Sequence, residues 1–141
     1  MLFRSVATAA PFSKAPAWLT EGFADYVALR RTPLPLSRTA GQIAAQVRAE
    51  GLPDSLPAAA EFNTRGPHLG AVYEASWLAC DVLARIGGPT ALSSFYAAVS
   101  AGSPIAAALR RSFGLTPNQL IKAWQRVLES LPGTQEGATN G

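Results

Sequence analysis

The stretch "LGAVYEASWLACDVLARIGG", residues 69–88, contains no proline and ends on a glycine pair. Val72, Tyr73, Ser76, Trp77, Cys80, Leu83 and Ala84 recur at three- and four-residue intervals, the spacing that stacks side chains on one side of an α-helix. The reading is a helix over 69–86 with a wide apolar face, ended by Gly87-Gly88. Glu74 and Asp81 read as acids on its solvent face.

The same period recurs on both sides. Pro16 suits a first helical turn, and Trp18, Leu19, Phe23, Ala24, Val27 and Ala28 mark one apolar face up to the break at "RRTPLPL". Ser37 is placed to cap a second helix running to Glu50, with Ile43, Ala44 and Val47 facing the core and Gly51 ending it. Residues 52–67 carry three prolines and a glycine and read as a loop with at most one helical turn, positioned to cover a cleft. Three shorter helices follow, opened by Pro89, by Ser103-Pro104, and by Thr116-Pro117 with Gln119 as a capping box.

Alanine is abundant, β-branched residues are sparse, and no segment alternates as a strand would. The fold expected is all-α, a multi-helix bundle over residues 1–131, with 132–141 a disordered tail that has no apolar content to fold around. A chain of 141 residues, 48% hydrophobic and 15% charged, fits one domain with a sizeable core.

Composition narrows the partners. The formal charge is +3, yet only Arg30-Arg31 and Arg110-Arg111 are adjacent basic pairs, and no basic stripe interleaved with aromatics emerges, so nucleic acid is not expected. No apolar run reaches the roughly 20 residues that span a bilayer. The single cysteine, Cys80, excludes a disulfide framework and reads as a packed thiol. The first residues, "MLFRSVATAAPFSKA", lack the basic-then-apolar pattern of a signal peptide and read as an entry into the middle of a larger fold.

One feature resists a purely structural reading. In "APAWLTEGFADYVALR", residues 15–30, Glu21 and Asp25 stand four apart on an otherwise apolar helix, so their carboxylates are neighbours and repel. Partial burial there demands a cation. Lys14, Arg30 or Arg31 would supply it if this were only a salt-bridged surface. Gly22 between them costs about 1 kcal/mol relative to alanine, which makes sense if another backbone or a ligand passes close.

"PAWLTEGFADYVA" resembles the second signature of gluzincin zinc metallopeptidases, the bacterial peptidase MA-like domains related to aminopeptidase N and thermolysin. In that family an H-E-x-x-H helix brings two histidine ligands and the general base, and a following W-L-x-E-G-x-A-x-Y helix brings the third ligand. The resemblance implies Glu21 as metal ligand and Asp25 as the acid that orients a zinc-binding histidine. "VYEASWLACDVLARIGGPTALSSFYAAV" is similar to the family's tyrosine-bearing helix, which makes Tyr73 the candidate catalytic phenol that hydrogen-bonds the oxyanion. "FGLTPNQLIKAWQRVL" resembles its closing helix. A tyrosine on an apolar helix also serves simply as a core residue, and Trp18, Trp77 and Trp124 read as core anchors.

The ligand set is incomplete, because His68 in "TRGPHLG" is the chain's one histidine. Relatives often read "VAT" directly after the second histidine; aligned on Val6-Ala7-Thr8, Met1 and Ser5 stand where the histidines belong and Leu2 where the general base belongs. The expectation is a truncated or degenerate gluzincin domain, a zinc enzyme acting on peptide or protein in the family, in which this chain alone neither binds zinc nor hydrolyses peptides. The alternatives are a complete enzyme whose H-E-x-x-H segment lies upstream of Met1, a non-catalytic helical peptide- or protein-binding module, prone to self-association through exposed apolar surface, and an unrelated helical regulator.

Overall fold

The computed structural model describes residues 13–63 and 68–132. It contains α1 (Ala17–Arg31), α2 (Leu36–Thr39), α3 (Gly41–Glu50), α4 (Leu69–Gly87), α5 (Pro89–Ser100), α6 (Ile105–Phe113) and α7 (Pro117–Ser130), with a 3-10 turn at Ala59–Asn63. No strand occurs among the described residues, and no described helix is long and apolar enough to cross a membrane. The all-helical bundle expected from the hydrophobic period is the observed fold. The alignment of Met1, Leu2 and Ser5 on Val6–Thr8, most of the 132–141 tail, and Gly66-Pro67 of the long loop lie outside the described residues.

α4 organises the bundle. Beyond the stripe read from its sequence, Ala75, Leu78, Ala79 and Val82 are buried too, and α1, α3, α5, α6 and α7 all pack against it. Each large side chain removed from water contributes about 1.5–3 kcal/mol. Small residues between the large ones let neighbours come close: the Ser76 hydroxyl turns back onto the Val72 carbonyl at 2.8 Å instead of reaching outward. Trp18, Trp77 and Trp124 are all buried, as expected of core anchors. Trp124 of α7 donates its indole N–H to the Ala75 carbonyl at 3.0 Å, tying the last described helix to α4.

The buried face of α1 differs from the expected one. Leu19, Gly22 and Tyr26 point into the core with Trp18, whereas Val27 is 36% exposed and Phe23 is half-buried, stacked on Tyr96 with ring centroids 4.5 Å apart. Gly22 explains the rotation. A methyl group there would overlap the Ser76 carbonyl, its Cβ lying 2.7 Å from the carbonyl carbon and 3.1 Å from Cys80 Sγ. The two helices meet backbone to backbone at this point, so the close approach inferred from Gly22 is made by another helix.

The second helix is broken. α2 is a single turn from Leu36, Ala40 leaves helical geometry at φ −137° and ψ 18°, and α3 restarts at Gly41. Ser37 therefore sits inside α2 and caps nothing in α3. Downstream the capping box forms as read: Gln119 N–H donates to Thr116 Oγ1 at 3.2 Å and Thr116 N–H to Gln119 Oε1 at 2.9 Å. Gly88 (φ 96°) and Gly114 (φ 70°) end α4 and α6 in backbone that side-chain-bearing residues rarely adopt.

Candidate functional site

A cleft of about 360 Å³ opens where α1, the α2–α3 junction and α4 converge. Asp25, Ala28 and Leu29 come from α1, Thr39 and Gln42 from the junction, and Gly70, Tyr73, Glu74 and Trp77 from α4. Helical period explains the grouping: 25, 28 and 29 share one side of α1, as do 70, 73, 74 and 77 on α4. The Trp77 indole N–H donates to the Thr39 carbonyl at 2.9 Å, which fixes the α2 turn against the cleft floor. Phe62, on the 3-10 turn of the long loop, meets the Tyr73 ring edge-on at 5.2 Å. The loop thus flanks the cleft it was expected to cover.

Asp25 and Tyr73, read from sequence as parts of one site, line this one cleft. Glu21 is half-buried one turn earlier on α1, with its Oε1 shielded from solvent. His68 is exposed at the N-terminal end of α4. Among the described residues no three His, Cys, Asp or Glu side chains converge as a metal site requires. A catalytic zinc takes three protein ligands, so the described residues do not fit that ion by themselves.

Glu74 overturns its reading as a solvent-face acid. It is 9% exposed, and its Oε1 accepts the Ile43 backbone N–H at 2.8 Å while its Oε2 accepts the Gln42 side-chain amide at 3.3 Å. The Ile43 N–H is an orphan donor of the first turn of α3, whose own cap position, Ala40, makes no side-chain cap hydrogen bond. Glu74 caps a neighbouring helix across the core. Burial raises its carboxyl pKa, offset in part by these hydrogen bonds. The signal available in sequence was that Glu74 lies among Ala71, Ala75 and Leu78, apolar positions at helical spacing on the same stretch.

Asp81 pairs with Arg85 at 2.9 Å, with its side chain 21% exposed. Cys80 is fully buried behind Gly22, and burial, reinforced by the charges of Asp25 and Asp81, pushes its thiol pKa up. It is a core thiol, as the apolar run around it suggested. The chain matches no protein-family model, and no curated protein or solved structure shows significant similarity to it.

Proposed function

We propose that this chain is the helical half of a gluzincin-type zinc peptidase, with the α1–α4 cleft as the place where a peptide lies. One observation carries the reading: Asp25 and Tyr73, assigned to a single site by two separate sequence blocks, line the same cleft from different helices. Glu21, on the same helix one turn before Asp25, is the carboxylate left for the metal. Its two histidine partners are not in this sequence, so the chain by itself holds peptide without cleaving it.

The test is to express the reading frame together with the codons that precede Met1 and to measure bound zinc. The proposal predicts an H-E-x-x-H segment in those codons and one zinc per chain, lost in Glu21→Gln and kept in Glu50→Gln, an exposed acid used as control. Zinc held equally well by Glu21→Gln, or codons without that segment, contradicts the catalytic form.

The incomplete donor set favours a second reading, a non-catalytic peptide-binding module using the same cleft. Val27, Leu34, Leu36 and Ile86 are large apolar side chains left exposed, and in this reading they are the surface through which copies associate. Light scattering that reports a monomer at every concentration argues against that association.

A further inference from the structure

From Arg30 to Arg38 the chain reads "RRTPLPLSR", and every residue of it is exposed, the longest such run among the described residues. Of the four large apolar side chains left exposed, two stand in this run, Leu34 at 45% and Leu36 at 37%. Their surface stays in water unless something covers it. The backbone here has few donors to lose from water. Pro33 and Pro35 carry no N–H, the Thr32 N–H donates to the Ala28 carbonyl at 3.3 Å, and those of Arg38 and Thr39 donate to the Pro35 carbonyl at 2.9 and 3.1 Å. The Trp77 bond to the Thr39 carbonyl fixes the far end of the run, so little ordering is left to do on contact.

Charge says what covers the leucines. Between Tyr26 and Ala49 the sequence carries Arg30, Arg31, Arg38 and Arg48 and no aspartate or glutamate. Arg30 is taken up by the Tyr26 ring, 5.6 Å from its centre. Arg31 and Arg38 are exposed and make no ion pair among the described residues. Asp81, the acid bordering the hollow that the leucines line, is held by Arg85 at 2.9 Å. We propose that this run is a docking surface for an anionic lipid bilayer, Leu34 and Leu36 entering the headgroup boundary while Arg31 and Arg38 meet the lipid phosphates and carboxylates. Two part-exposed leucines are far less apolar surface than the core of a specific protein interface of about 1,600 Å². A lipid surface takes such an apolar tip flanked by cations. The chain then lies on the bilayer, and no described helix crosses it. Lipid contact here requires nothing of the α1–α4 cleft.

The experiment is co-sedimentation of the purified chain with vesicles of phosphatidylcholine alone and of phosphatidylcholine with about 30% phosphatidylserine. Binding is expected to the anionic vesicles and to weaken as salt is raised. Arg31→Gln and Arg38→Gln are each expected to lower it about fivefold, which corresponds to about 1 kcal/mol per cation at the surface. Leu34→Ser combined with Leu36→Ser is expected to lower it about tenfold. All four positions are exposed, and circular dichroism checks the fold. Arg110→Gln with Arg111→Gln removes the same net charge as the Arg31 and Arg38 pair, from exposed positions on α6, and is expected to change binding by less than about twofold. Equal losses in the two arginine pairs reduce the effect to net charge and overturn the site, as do equal binding to both vesicles and no binding at all. Leucine substitutions that dissolve a dimer and leave vesicle binding intact assign the leucines to a second copy. Soluble poly-glutamate bound in place of vesicles assigns the arginines to an acidic polypeptide. Either of these results overturns the lipid surface.

Discussion

Gly22 of α1 lies against the Ser76 carbonyl of α4 with no room for a methyl group between them. The obstacle is backbone, which cannot swing aside as the end of a flexible side chain can. Gly22→Ala is therefore expected to destabilise the fold by about 1–3 kcal/mol through overpacking, despite alanine's better helix propensity. Gly41→Ala, where a Cβ meets nothing within 4 Å, is the control and is expected to be neutral or slightly stabilising. Urea unfolding of both variants checks this, and a Gly22→Ala protein as stable as the parent contradicts the backbone contact.

Glu74 couples stability to pH. Its pKa in the folded state is raised above the unfolded value of 4.5. Its contribution is thus fully present below that unfolded value and is lost as pH rises through the higher folded value. Glu74→Gln keeps an oxygen for the Ile43 N–H and does not ionise. Relative to the parent, it is expected to gain stability as pH rises across that window, measured by denaturant unfolding at a series of pH values. Glu74→Ala leaves first-turn donors of α3 without their acceptor and is expected to cost about 1–3 kcal/mol.

Cys80 is predicted to resist thiol-specific labelling in the native protein, since it is fully buried with its pKa pushed up. Labelling is expected to follow global unfolding. Fast reaction without denaturant contradicts the packing of α1 on α4.

Incubation of the purified chain with unfolded protein or small peptides is expected to yield no cleavage. Hydrolysis that a chelator and Glu21→Ala both abolish contradicts the incomplete ligand set directly.

Much of the bundle was legible because helical period is a local property. The 69–86 stripe, the Thr116–Gln119 box and the glycine stops depend on residues a turn or so apart, and all appear where their spacing put them. The misses depend on partners distant in sequence. Nothing near Ser37 foretells that α2 ends after one turn, because the cap of α3 comes from Glu74, thirty-one residues from Ile43. The buried face of α1 turns toward Gly22 and Tyr26 because α4 presents its backbone there, so hydrophobicity alone placed Phe23 and Val27 too deep. The Asp25–Tyr73 pairing was legible only through two sequence blocks that resemble one family.

The most direct measurement is an amide NMR titration of the chain with an unstructured peptide. The account predicts shifts concentrated at Asp25, Leu29, Thr39, Gln42, Tyr73 and Trp77, weakened in Asp25→Asn. Shifts confined to α6 and α7, or no shift at saturating peptide, contradict the claim that the α1–α4 cleft holds a peptide.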